Sequence, residues 1–155
     1  METEEEIGGK AYVHWKSWQE TYADLMDASF LSAMTLEKCL AISKRFCDNV
    51  LIAKDGERVI GFCAYGKSLC DDIENCGEIF GLYLLEEYHK QGIGFALMNR
   101  AAEKLSSFSK ISLWVLRGNT RAIPFYERYG FSFDGVQKDI MTGTPNVELR
   151  MIWER

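Results

Sequence analysis

Metal-binding chemistry is what this chain has least of. It carries only two histidines, His14 and His89, has no C-x-x-C pair, and shows no cluster of ligands at metal spacing, so no metal site is expected. Proline is as scarce: Pro124 and Pro145 are too few for a proline-rich linker. No apolar run approaches the ~20 residues that a bilayer-spanning helix needs, so no membrane partner is expected. Positive charge is also short. Lys and Arg total 18 against 23 Asp and Glu, a formal charge of -5. A net acidic surface repels phosphate backbones, which argues against nucleic acid and tolerates or attracts cationic small molecules. The opening Met1-Glu2-Thr3-Glu4-Glu5-Glu6 is acidic, which does not fit a secretory or transit peptide, and the cytoplasm is the expected location. The five cysteines are odd in number and scattered. They read as reduced thiols packed as small hydrophobes, although Cys70 and Cys76 lie in one loop that oxidation would let pair.

Apolar residues, by contrast, are plentiful: 47% of the chain, with 13% aromatic. That is material for a real core, and 155 residues suit one domain over positions 1–155. Trp15, Trp18, Tyr22, Leu25 and Met26 recur at helical spacing, and Thr35 is placed to cap a second helix through Phe46. Val50–Ala53 and Val59–Tyr65 are strand-like around Lys54-Asp55-Gly56-Glu57, a hairpin turn signal. A polar loop, Lys67–Asn75, leads to a strand over Glu78–Leu85. Gly92 opens a helix to about Ser106 with an apolar face of Leu97, Met98, Ala101 and Leu105. Ile111–Leu116 reads as a buried strand. A helix capped by Asn119 or Thr120 runs to Tyr129 and ends at Gly130. Phe131–Ile140 and Val147–Trp153 close the chain as strands around Gly143 and Pro145. The expected class is α/β, a single mixed central sheet flanked by helices.

Leu82 to Phe95 is strand, loop and helix in turn. Gly92 and Gly94 bare the backbone where the helix starts, and free N–H groups at a helix N-terminus attract anions. Side chains at these two positions would crowd a pyrophosphate, and Lys90 adds charge at the rim. A dinucleotide fingerprint needs a third glycine, and that position is Leu97. By itself the pair of glycines equally describes a plain helix cap.

The run His89-Lys90-Gln91-Gly92-Ile93-Gly94 resembles the acetyl-CoA signature of the GNAT superfamily of N-acetyltransferases, [Gln/Arg]-x-x-Gly-x-[Gly/Ala], with His89 in the Gln/Arg place. Leu113–Ala122 followed by Phe125-Tyr126-Glu127-Arg128-Tyr129-Gly130-Phe131 is similar to the family's next motif. Val59-Ile60-Gly61-Phe62 resembles its earlier hairpin, and Leu149-Arg150-Met151 its last strand. The resemblance spans about residues 11 to 153. It implies a GNAT-like acyl-CoA N-acyltransferase fold, with the family's first strand absent or rebuilt, because only Met1–Gly9 precede the helical pattern.

The same resemblance implies acetyl-CoA as co-substrate and an amine as acceptor. Leu82, Tyr83 and Leu84 would run beside the pantetheine arm, with the Leu84 N–H toward the thioester oxygen. His89, Lys90, Gln91, Gly92, Ile93, Gly94 and Phe95 would wrap the pyrophosphate, and Asn119 would bond the pantetheine or phosphate region. Tyr126 would be the general acid at the coenzyme sulfur and Glu78 the general base, aided by burial or a water. Each has a plainer reading: Asn119 as helix cap, Tyr126 as a half-buried aromatic, Glu78 as an exposed strand end. Tyr129 reads as packing. Trp15, Trp18, Tyr22 and Phe30 are candidates for an amine pocket or for core. His14, without a visible partner, predicts a surface position. Asp71, Asp72 and Glu74 either attract a cation or are simply solvated. A small-molecule primary amine is the leading acceptor. A protein N-terminus or lysine, a non-catalytic acetyl-CoA sensor and a homodimer through sheet edges stay open.

Overall fold

In the computed structural model, residues 3–155 are described. Six strands form one mixed sheet in the order β1-β2-β3-β4-β6-β5. They are β1 Val50–Asp55, β2 Arg58–Lys67, β3 Cys76–Leu84, β4 Lys110–Leu116, β5 Ser132–Met141 and β6 Pro145–Glu154. The helices are α1 Glu4–Tyr22, α2 Ala28–Ser32, α3 Leu36–Arg45, α4 Ile93–Lys104 and α5 Ala122–Tyr129. All neighbouring strands are antiparallel except β3 and β4, which are parallel and joined through α4.

Local signals place these elements. Thr3 caps α1 by accepting the Glu6 N–H, and Thr35 caps α3 by accepting the Lys38 N–H. Gly56, at φ +56, supplies the left-handed residue of the β1–β2 turn. Period-two alternation splits β2 between two cores. Cys63 joins Leu97, Met98, Ala101, Ile111, Leu113 and Met151 under α4 and α5. Phe62 joins Val13, Val50, Val59 and Leu85 under α1. Together these cores cover both faces of the sheet's middle.

Among the described residues no strand precedes α1, which leaves β1 as the edge on that side. Pro145 is not in the turn as expected. It is the first residue of β6, opposite Met141, where a strand tolerates a residue without an N–H. All five cysteines are free, with Cys39, Cys63 and Cys76 buried. Burial pushes the Cys63 thiol up to about 12, which keeps it protonated and inert. Among the described residues no helix is long and apolar enough to cross a membrane.

Candidate active site

A fault in strand pairing opens the site. Ala64 pairs with Gly81, but Tyr65 pairs with Ile79, so Phe80 is an extra residue bulged out of β3. The parallel ladder with β4 stops at the same place: it joins Cys76–Ile79 to Lys110–Leu113 and goes no further. From there β3 continues to Leu84 and β4 to Leu116 without bonding each other, and a cleft of about 1100 Å³ lies between them. The splaying of the strand pair thus begins at the bulge.

Register decides which amides face the gap. Leu85 N–H donates to Ile60 C=O at 3.0 Å, so residues 60 and 85 form a hydrogen-bonded pair. Antiparallel pairs alternate, which turns the backbone groups of Leu84 and Leu82 away from β2 and into the cleft. The Leu84 C=O is already taken by His89 Nε2 at 2.8 Å, which fixes that nitrogen as the protonated one. His89 therefore braces the end of β3 against the loop.

Beyond the brace, Gly92 stands at φ +80 with open space where a Cβ would point. The first bond of α4 runs from Ala96 N–H to Gly92 C=O, so the Ile93, Gly94 and Phe95 amides have no helical acceptor. A Cβ at Gly94 would also lie 3.2 Å from the Phe125 ring, a tight contact that the ring would have to move to relieve. Lys90, Arg121 and Arg128 line this end of the cleft. Amides, a helix N-terminus and three cations fit a phosphate group. The side chains of Gln91 and Ile93 do not line it. Gln91 Nε2 donates to Glu87 C=O, and Ile93 packs on the core. Phe95 lines the cleft and meets Phe125 and Tyr129 ring to ring.

Asn119 is buried, and its Oδ1 accepts the Ala122 N–H at 3.0 Å. This caps α5 and holds Tyr126 one turn later. Tyr126 is 8% exposed and lines the cleft, and among the described residues nothing bonds its hydroxyl. Burial raises its phenol well above the ordinary value, with neighbouring Tyr83 and Cys63 adding to the effect, so the group stays a donor at any ordinary pH. Tyr129 packs on Phe131 and Trp153, as expected.

Glu78 is not an exposed strand end; it is 6% exposed. Its Oε2 accepts Ser68 Oγ–H at 2.9 Å and Leu69 N–H at 3.0 Å. Oε1 has no partner among the described residues, and the residue lines the cleft. Asp72 from the same loop is not a free lure for cations. Both its oxygens accept from Arg150 at 2.8 Å, and Asp134 takes the Arg150 Nε at 2.7 Å. The burden of the buried Arg150 charge is therefore shared by two carboxylates.

The far end of the cleft is aromatic. Trp18, Tyr22, Phe30, Tyr83 and Trp114 line it; Trp15 does not, and stacks on Tyr12 instead. Trp18 Nε1–H donates to Tyr83 Oη at 3.2 Å, and Tyr22 Oη lies 3.4 Å from the same atom. His14 is inside this wall and not at the surface. It meets Trp18, Phe62 and Tyr83, and its buried Nδ1 has no hydrogen-bond partner among the described residues. Burial, with help from the Lys10 charge, lowers the imidazole to about 4, so it is neutral at pH 7. A staple closes the wall: Asp27 N–H bonds Thr142 C=O and Asn146 Nδ2–H bonds Leu25 C=O. Gly143 permits it, because a Cβ there would fall 2.4 Å from Asp27 Cβ.

The chain matches the acetyltransferase (GNAT) family over residues 12–131. It belongs to the GNAT acetyltransferase family. It is 31% identical over 156 residues to an uncharacterized N-acetyltransferase, YuaI, from Bacillus subtilis strain 168, covering 92% of this chain and 90% of that protein. Its fold is similar to PaiA N-acetyltransferase from Thermoplasma acidophilum in complex with coenzyme A, with TM-score 0.71, 24% identity and coverage of 97% and 94%. PH1933 from Pyrococcus horikoshii OT3 is also similar, with TM-score 0.75, 20% identity and coverage of 100% and 94%. This GNAT chain is an N-acetyltransferase that draws on acetyl-CoA.

Proposed function

We propose that this single-domain protein acetylates a small primary amine, with the thioester held along β3 and the amine admitted from the aromatic end. The observation that carries this reading is the cleft itself: inward amides on the splayed β3, a phosphate cradle at one end and a closed aromatic wall at the other. The wall is stapled shut between Asp27 and Thr142, which suits a small acceptor better than a polypeptide. Buried free thiols are in keeping with a reducing cytoplasm.

Spacing along β3 supports one division of roles. Glu78 and Leu84 pair with Gly66 and Gly61 on β2, so with Phe80 bulged out they stand about 17 Å apart at ~3.3 Å per residue, too far to serve one reacting carbon without a water relay. The Leu82 N–H faces the same gap only four residues from Glu78. In this reading it shares or replaces the Leu84 amide as donor to the thioester oxygen. Glu78 Oε1 takes the ammonium proton, directly or through water, while Ser68 and Leu69 hold Oε2 in place. Tyr126 donates a hydrogen bond to the departing sulfur. Its raised phenol makes it a stabilising donor, because full proton transfer to a thiolate would run uphill.

Acetyl-CoA is mixed with a panel of primary amines, and free thiol release is followed. Turnover with small amines and none with peptide N-termini or peptide lysines is expected. Turnover only with peptides would reassign the acceptor. Acetyl-CoA binding without turnover on any amine would make the chain a sensor.

A further inference from the structure

At the aromatic end of the cleft the protein holds one of its own cations against a ring and a carboxylate. Lys138 Nζ is 4.1 Å from the centroid of the Trp114 ring and 3.0 Å from Glu148 Oε2. All three residues line the cleft. An aromatic face beside a carboxylate is a standard recognition set for an organic ammonium. Lys138 reaches it from edge strand β5, directly across the ladder from Glu148 on β6.

The other cation near this ring is not available for exchange. Arg150 lies 5.7 Å from the Trp114 centroid, but it is 4% exposed and bonded to both Asp72 and Asp134. Lys138 is different. Its side chain is 46% exposed and Glu148's is 25%, so the ammonium can swing into water, and an exposed ion pair contributes little net stability. Once it leaves, the ring face and carboxylate that held it are open to the cleft, with Arg150 still fixed on Asp72 and Asp134 at 5.7 Å from the Trp114 centroid. Burial is the main cause that raises the phenols of Tyr22 and Tyr83, and the Glu148 charge is a minor one at both, which places it near the aromatic wall. Lys90 and Arg128, unpaired among the described residues, belong to the α4 end, as does Arg121, which pairs with Glu86 at 2.8 Å.

We propose that the Trp114 face and the Glu148 carboxylate form a subsite for a second, non-reacting cation of the acceptor, and that Lys138 occupies it until the acceptor displaces it. The cation bound there is not the one acetylated. An attacking amine must give up its proton, whereas an ion pair with Glu148 keeps an ammonium charged. The acceptor class is therefore a dication, such as an alkyl diamine. This rests on the acetyl-transfer reading above and narrows it.

The test compares 1,4-diaminobutane with butylamine at saturating acetyl-CoA and reads the ratio of their kcat/KM values. The ratio should favour the diamine, rise ~5-fold in Lys138→Met, and fall ~10-fold in both Glu148→Gln and Trp114→Leu. Glu148→Gln keeps the side-chain shape, so its result stands even if Trp114→Leu perturbs the sheet. An unchanged ratio across these variants, with both amines acetylated, overturns the subsite and leaves acetyl transfer intact. If neither amine is acetylated, the small-amine reading fails and the subsite is judged by calorimetry. There 1,4-diaminobutane is titrated into protein saturated with coenzyme A. Tighter binding to Lys138→Met than to Glu148→Gln supports the subsite, and equal affinities or no binding overturn it.

Discussion

At the α4 end of the cleft the useful groups are main-chain amides from one short stretch, His89 to Phe95, with cations around them. At the β6 end they are side chains of Trp18, Tyr22, Trp114 and Glu148, drawn from three separate elements and held by a staple between loops. The first end asks little of tertiary structure beyond a helix start. The second exists only when α1, β4 and β6 are all in place. Backbone recognition tolerates sequence drift, so a family can keep its coenzyme site while side-chain recognition is free to change acceptor.

Substitution at the junction of the two ends should have the largest effect. Tyr126→Phe should cut kcat by ~100- to 1,000-fold, the range for losing a positioned donor, while the acetyl-CoA-induced rise in Tm stays. Loss of that rise would mean that Tyr126 supports binding at the α4 end and not chemistry between the ends.

Acid should break the aromatic end first. His14 is lowered to about 4 in the folded protein against 6.5 in a free chain. Its folded value is depressed, so the unfolded state binds the extra proton, and stability is lost as pH falls from about 6.5 towards 4. The difference amounts to about 3 kcal/mol at ~1.36 kcal/mol per unit. Thermal melts of wild type and His14→Phe between pH 7 and pH 4.5 check it. Parallel curves would show that His14 does not set the acid sensitivity of this wall.

Two smaller tests address the α4 end. Gly92→Ala should cost about 1–2 kcal/mol, because φ +80 is a strained conformation for any residue with a Cβ. Open space at that position predicts that coenzyme affinity falls less than stability does, and calorimetry with coenzyme A against a denaturant melt separates the two. Asn119→Ala should cost about 1 kcal/mol through loss of the α5 cap, and Asn119→Asp should restore it. Stability unchanged in Asn119→Ala would show that this side chain does not cap α5.

Much of the fold was legible from local chemistry. The Asp55-Gly56 turn, the Thr35 cap and the α4 face of Leu97, Met98, Ala101 and Leu105 are short-range patterns, and the structure holds each of them. The glycine-led start of α4 was legible for the same reason: its free amides are neighbours in the chain. His14 was misread because its partners Trp18, Phe62 and Tyr83 come mostly from other elements. Asp72 was misread because Arg150 is 78 residues away. Glu78 looked like a strand end because nothing local announces that the Ser68–Leu69 loop folds back over it.

The amino-acid order therefore determined the secondary elements, the amide cradle and the family, since turn, cap and motif chemistry act over a few residues. Tertiary structure alone decided that Phe80 bulges, that β3 and β4 part after Ile79, and that Leu82 and Leu84 turn their amides into the gap. It alone put Lys138 over Trp114. Register and cross-strand contact depend on which strands lie side by side, and that is settled only when the whole sheet closes on its two cores.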